Sequence, residues 1–443
     1  MTPGRRSILG LALLGTMEGV LAAMPDGPAN PTAALDRELA AIAADPVCEL
    51  PSLSVLAIRK GKVAYQRQFG QRVLPSKGRP GKPANAQTLF RIASISKMMT
   101  TLAAMRLVEA GKLALDTDAS AYLGFPLRNP HFPEQVITLR HILSHTSSLR
   151  DAGGYSFPAT TTLHSVLTPG QANHGEGAMW AKHAGPGAYF TYSNLGWGVI
   201  GTMMEKVTGE RFDLLMQRLL LEPLGMRGGF NPSGMSADDL ANVATLYRKR
   251  TTDTEVWNSA GPWLAQVDDY SEKPPARPAG IERAVIGTNA TPFSPTGGLR
   301  VSAEGMAAVM QMMIKGGVHA GRALLQPATL KLMMTRQWSA DGKGGNGDTE
   351  GGLFRHWGLG IQLFQDERGS RLVEQGGFSA VGHLGEAYGL MSVFAVDLAA
   401  GNGMIVLAGG ASTDPAAYKG SYSSMARFKE KILTAMHRRV IAA

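Results

Sequence analysis

From Met98 to Ala110 the chain carries only four polar side chains, Thr100, Thr101, Arg106 and Glu109. A helix that is apolar on nearly every side has no face to give to solvent, so other elements must wrap it all round. Gly111 follows, a residue that accepts the left-handed turn at a helix C-terminus. With 443 residues the chain can build that wrapping as one large domain or two ordinary ones. A content of 44% hydrophobic and 18% charged residues fits a packed fold and excludes a disordered one.

The start of this helix carries chemistry. Ser94-Ile95-Ser96-Lys97 puts a hydroxyl and an ammonium three residues apart, on one helical face. A lysine held beside a serine can take its proton. Met98, Met99 and Phe90 make the surroundings apolar, and burial favours the neutral, basic lysine. A serine on the first helical turn also has a backbone N–H with no intrahelical partner, which can aim at an oxyanion. By itself Ser-x-x-Lys is weak, since about one is expected by chance in a chain this long. The apolar setting is what separates Ser94 and Lys97 from a surface serine and a solvated lysine.

Two further constellations follow. Tyr192-Ser193-Asn194 lies between Gly185-Pro186-Gly187 and an apolar run from Leu195, and is the only Tyr-x-Asn in the sequence. A phenol beside an ammonium can shuttle a proton. The Asn194 amide can hold a substrate carbonyl or fix the lysine. The plainer reading is a helix N-cap by Ser193 or Asn194. His383-Leu384-Gly385-Glu386 precedes a strand-like run from Leu390. Gly385 lets a substrate approach the backbone closely, and the Glu386 N–H would be a second oxyanion donor. His-x-Gly recurs at His183 and His319, so the tripeptide is not specific by itself.

Around these motifs the pattern is mixed. Residues 52–58 and 62–69 are β-rich and joined at Lys60-Gly61, a hairpin signal. Residues 72–86 read as a loop. Residues 195–207, 212–221 and 302–314 read as helices, the last with Ser302 as N-cap. The stretch 250–297 has little periodicity, and so long an irregular segment points to function. Its Trp257 and Trp263 are expected to shape an acyl pocket. Residues 357–364, 390–397 and 404–408 read as strands, with Asn402-Gly403 in the turn before the last. Residues 423–437 close the chain as a helix. Strands at both ends around a helical middle make one sheet closed by the two termini, with a helical subdomain inserted.

Taken in order, Ser-x-x-Lys, Tyr-x-Asn and His-x-Gly resemble the serine β-lactamase and penicillin-binding superfamily. The nearest subgroup is the class C β-lactamase-like branch, with its esterases and D-amino-acid peptidases. Residues 137–147 (Ile-Thr-Leu-Arg-His-Ile-Leu-Ser-His-Thr-Ser), 192–201, 221–226 and 295–299 resemble its characteristic segments. The resemblance spans about 50 to 410. It implies an α/β (α+β) fold: an antiparallel sheet formed by both termini, flanked by helices, with a mostly helical subdomain. Residues 37–137 and 331–443 would form the α/β part and 138–330 the helical part, with the site in the cleft between them. It implies Ser94 as nucleophile, Lys97 and Tyr192 sharing base and acid work, and Asn194 on substrate. His383 and Gly385 would line the far wall, and the N–H groups of Ser94 and Glu386 would form the oxyanion hole. The implied reaction splits a small ester, amide or peptide through an acyl-enzyme, with no metal or organic cofactor. Where true β-lactamases mostly carry Lys-Thr-Gly, this chain has His383-Leu384-Gly385. A neutral imidazole is the weaker anion partner, which favours an esterase or small-peptide hydrolase. A true class C-type β-lactamase, a D,D-carboxypeptidase and a sensor that acylates without turnover stay open.

Other features bound the partners and the compartment. The formal charge of +9 is scattered, without a basic run, and excludes a nucleic-acid footprint. Residues 1–23 have a basic start, the apolar run Ile8 to Leu14 and small residues at Leu21-Ala22-Ala23, the shape of a secretory signal. Arg5-Arg6-Ser7-Ile8-Leu9 fits a twin-arginine signal and equally a chance pair of arginines. The expected location is periplasmic or secreted, with no membrane segment once the signal is removed. The single cysteine, Cys48, cannot form an internal disulfide and reads as a small buried hydrophobe. His141 and His145 have zinc spacing but lack the glutamate of His-Glu-x-x-His and a third ligand, so no metal is expected.

Overall fold

Lys60 and Gly61 both have positive φ, 49° and 76°, the two-residue turn whose twist matches that of paired strands. They join β1 (Ser52–Arg59) to β2 (Lys62–Val73) as expected. The computed structural model describes residues 32–76 and 78–443. The export signal expected at 1–23 lies outside the described residues.

β1 is flanked on its other side by a strand from the far end of the chain. Three C-terminal strands, β3 (Ala380–Ala387), β4 (Leu390–Asp397) and β5 (Asn402–Ala408), run antiparallel, and β5 pairs with β1. Short strands extend the sheet to nine: Trp338–Ser339, His356–Trp357 and Gln362–Phe364 beyond β3, and Lys82–Pro83 beyond β2. Both termini therefore build one antiparallel sheet.

Helices cover both faces, which is why β1 is buried along nearly its whole length instead of alternating. Leu53, Val55 and Ala57 point to one core, beneath α1 (Ala33–Ala43) and the C-terminal helix Arg427–Met436. Leu56 and Ile58 point to the other. There lies α2 (Ile95–Glu109), in which every residue from Ile95 to Met105 is buried. It packs with α3 (Leu195–Thr208), and α4 (Ala303–Ile314) closes the same face against β1 and β5. The Ser302 side chain caps α4 as expected. Among the described residues no helix is long and apolar enough to cross a membrane.

Several expected boundaries move, each for a local reason. Asn402 and Gly403 belong to β5, facing Asp397 and Val396, and the turn falls before them with Gly401 at φ 66°. The C-terminal helix begins at Arg427, because the Glu430 carboxylate takes the N–H groups of Ser421, Tyr422 and Ser423 and holds them in a loop. The strand expected at 357–364 is broken between Trp357 and Gln362. Within 250–297 a strand forms at Trp263–Val267. Trp257 and Trp263 stack on Arg248 and Lys249, 5.3 and 5.1 Å from the rings, so they serve this small sheet. Cys48 is fully buried, and burial pushes its thiol up to about 11.

Candidate active site

Ala93 sits in the left-handed region at φ 47° and swings the chain from a short strand into α2. Ile92 donates its N–H to Leu299, and Ser96 donates to the Ala93 carbonyl, fixing the bend. Ser94 is left half-buried while the residues on both sides of it are buried. Its own N–H meets no backbone carbonyl among the described residues.

Lys97 is fully buried one turn on, and Nζ has three oxygen neighbours: Ser94 Oγ at 3.1 Å, Asn194 Oδ1 at 2.7 Å and the Thr296 carbonyl at 3.1 Å. An ammonium would donate to all three. A neutral amine would donate to the two fixed acceptors and turn its lone pair to the Ser94 hydroxyl. Burial drives the Lys97 pKa down to about 7, with Asp151 pulling the other way. The desolvating walls are the rings of Tyr192 and Trp197, 4.7 and 5.8 Å from Nζ.

Tyr192 is the second neighbour of the Ser94 hydroxyl. Burial raises its phenol well above the usual range, and the hydrogen bond with Ser94 opposes this. Its ring lies stacked on Phe354 at 4.8 Å and tilted against His145 at 4.5 Å. Asn194 accepts from Lys97 and from Thr296 Oγ1 at 2.7 Å and donates Nδ2 to Asp151 at 2.8 Å. Its Oδ1 helps to hold the lysine, Asp151 orients its amide, and the second Nδ2 hydrogen is uncommitted among the described residues.

Two residues that no motif marked as functional hold this arrangement. The Asp151 carboxylate accepts from the N–H groups of Asn194 and Leu195, and from Ser193 Oγ. It thereby caps α3 from outside, while Ser193 Oγ accepts from Gly196. His145, at φ 58°, accepts the Ser193 N–H on Nδ1 at 3.0 Å and the Thr191 N–H on its carbonyl at 2.8 Å. It grips the chain on both sides of Tyr192. Burial, then Lys97 and His383, hold its pKa well below the usual value, so the ring is neutral with its proton on Nε2. His141, one turn before His145 in the sequence, completes a capping box with Thr138.

β3 forms the opposite wall. Gln362–Phe364 pairs with it only from Ala380 to Gly382, so its outer edge is open beyond that point. The β3–β4 hairpin turns on Tyr388 and Gly389, both at positive φ. That two-residue turn makes Ala387 and Leu390 the hydrogen-bonded pair. Pairs alternate, so Glu386 opposite Met391 directs its N–H away from β4, toward the open edge. Gly385 meets the start of α2: a Cβ there would lie 2.5 Å from the Ile92 carbonyl and 3.4 Å from the Ala93 Cβ. The Glu386 side chain is exposed, and its charge is felt by the buried Lys429. His383 is 1% exposed, with Nδ1 on the Leu384 carbonyl and Nε2 without a partner. Burial and then Lys97 lower it to about 3. The structure thus brings Ser94, Lys97, Tyr192 and Asn194 into one cluster, with Gly385 against its rim and His383 behind Tyr192.

The sequence and the fold have counterparts among known proteins. The family model described as Beta-lactamase matches residues 39–423. Over 178 residues, 39% of this chain and 36% of the relative, the chain is 29% identical to Penicillin-binding protein 4* of Bacillus subtilis (strain 168). Over 183 residues, 39% and 45% respectively, it is 30% identical to Esterase EstB of Burkholderia gladioli. The matched stretches span less than half the length of these relatives. EstCE1, a hydrolase with promiscuous acyltransferase activity, shares the fold with a TM-score of 0.62 at 23% identity, covering 91% of this chain and 98% of that one. The octameric penicillin-binding protein homologue from Pyrococcus abyssi gives 0.60 at 21% identity, covering 86% and 74%. A family match that runs through α2, the Tyr192 loop and the β3 edge makes this chain a member of the beta-lactamase family.

Proposed function

We propose that the protein is a serine hydrolase that cleaves a small ester or amide through an acyl-enzyme on Ser94. The observation that carries this reading is Lys97: buried, 3.1 Å from Ser94 Oγ and poised near pH 7. Neutral Lys97 takes the Ser94 proton as Oγ attacks the carbonyl carbon. The N–H groups of Ser94 and Glu386 stabilise the oxyanion. Tyr192, which keeps its proton at neutral pH, passes it to the leaving group and is reprotonated from Lys97. Water then hydrolyses the acyl-enzyme. His383 supports an esterase over an efficient β-lactamase, since a buried imidazole with a pKa near 3 offers no cation for a substrate carboxylate.

The test is turnover of a p-nitrophenyl ester against a cephalosporin and labelling by a fluorescent penicillin. Ester turnover well above cephalosporin turnover is expected, and Ser94→Ala should abolish it. A persistent penicillin adduct without ester turnover would replace this reading with a sensor. Retained turnover in Ser94→Ala would overturn the mechanism. The leader-like residues 1–23 support action outside the cytoplasm, to be read from the N-terminal sequence of the protein recovered from the periplasm or medium.

A further inference from the structure

The cleft has a direction. His383, the fourth residue of β3, lies beside Tyr192, the two rings 6.3 Å apart. Two residues on, Gly385 meets Ala93 at the nucleophile, and the strand ends at the turn residue Tyr388. In the mechanism above Tyr192 protonates the leaving group, so the His383 end receives the leaving group and the Tyr388 end receives the acyl chain.

At that acyl end stands Arg91, three residues before Ser94. Its Cζ lies 4.8 Å over the ring of Tyr388 and its Nε donates to the Gly297 carbonyl at 3.0 Å. The neighbouring carbonyl, of Thr296, holds Lys97. Directly across the strand pair is Arg300. Asp268 is the buried anion nearby, and Arg300 takes it with two hydrogen bonds at 2.6 and 3.0 Å while Tyr270 donates to it at 2.8 Å. Arg91 feels Asp268 at longer range but, among the described residues, is hydrogen-bonded to no carboxylate. Among the described residues no acceptor meets its Nη1 or Nη2, yet neither is a sealed, unsatisfied atom. Burial and then Arg300 push its pKa down, while Asp268, already bonded to Arg300, and the phenols of Tyr388 and Tyr270 pull it back. Tyr388 and Tyr155, 45% and 43% exposed, flank it, and the Tyr155 phenol feels Tyr388, Asp151 and Arg91.

We infer that Arg91, stacked on Tyr388, is an anion-binding subsite for the acyl group, so that the preferred acyl chain ends in a carboxylate. The inference rests on the esterase reading. A guanidinium whose Nη1 and Nη2 are both unbonded presents the planar fork that a carboxylate fits, and here two guanidinium groups face each other over one buried carboxylate.

The test compares the p-nitrophenyl half-ester of adipic acid with p-nitrophenyl hexanoate, and repeats the pair with the suberic half-ester and octanoate. The ratio of kcat/KM, anionic over neutral, is read within each protein, so a general loss of activity cancels. In the wild type the ratio should be about tenfold or more in favour of a half-ester. Added salt should reduce it, and Arg91→Gln should bring it to about one or below. Hexanoate turnover with a wild-type ratio at or below one for both pairs would overturn the subsite alone, as would a ratio unchanged in Arg91→Gln. Turnover of none of these esters would overturn the esterase reading and the subsite with it.

Discussion

Lys97 ties the activity of the site to pH. Only its neutral form has a lone pair for the Ser94 proton, so kcat/KM should rise with pH through about 7. A pH–rate profile with its acid limb near the carboxylate range would contradict this. The stability sign follows from the same group. Unfolded, a lysine holds its proton to about pH 10, whereas the folded one sheds it near 7. Between those values the unfolded chain binds more protons, so unfolding free energy should rise with pH across the window relative to Lys97→Gln. His145 makes a sharper test of positioning. Asparagine puts an acceptor where Nδ1 stands, and glutamine puts one where Nε2 stands. His145→Asn should therefore lose about tenfold in kcat and His145→Gln about a hundredfold, the scale of a small displacement of Tyr192. Equal losses would mean that the ring acts by packing alone. The clustering of Ser94, Lys97, Tyr192 and Asn194 was legible because each lies in a short motif whose side chains meet one another. Asp151 and His145 were not, because what they bind is backbone N–H groups some forty residues away, and every residue has such a group. The signal for His145 was its place in the segment 137–147, which resembles one of the family's but gave the histidine no role.

At the level of elements, the site is made by three ends meeting: the starts of α2 and α3 and the open edge of β3. Gly385 sets the distance between the first and the last. In Gly385→Ala the new methyl would meet the Ile92 carbonyl and Ser392 Oγ, at 2.5 and 2.2 Å. Overpacking of this kind costs about 1–3 kcal/mol and would push the Glu386 N–H from the nucleophile. A drop in both thermal midpoint and kcat is expected, and full activity would mean that β3 does not set the oxyanion geometry. The start of α3 depends on a carboxylate supplied from elsewhere. Asp151→Ala removes an anion that caps the helix and orients Asn194, so urea unfolding should show a loss of about 2 kcal/mol and esterase assays a lower kcat. Element type was readable from periodicity: the β1–β2 hairpin, the buried α2, and α3 and α4 all stand where the pattern put them. Boundaries were less so where a distant group intervened, as Glu430 does in delaying the last helix. At β5 a turn-favouring Asn-Gly pair was absorbed into the strand because pairing with β4 continues to Asp397.

Across the whole molecule, α2 lies on a sheet whose central strands come from opposite ends of the sequence. The ends are also tied at the surface, where Glu38 of α1 pairs with Arg438 and Arg439 at 2.6 and 2.7 Å. Terminal closure was visible as strand-like runs on either side of a helical middle. The share of each helix in the two cores was not, since it depends on which face of β1 each one meets. Deleting 402–443 would take β5 from between β1 and β4 and strip α1 of its partner helix. The fragment should be insoluble and without esterase activity, although it keeps every catalytic side chain named above. The pairing of β1 with β5 also sets a timetable. A ribosome delivers Ser94, Lys97 and Tyr192 long before β3, β4 and β5 exist, and contacts this remote in sequence form slowly. Until release, β1 is a hydrophobic strand with an unpaired edge, the kind of surface on which nascent chains aggregate. The fold therefore has no useful partial form. Ser94 and Lys97 are made early, and the proposed site stays incomplete and dependent on protection until the last strands arrive.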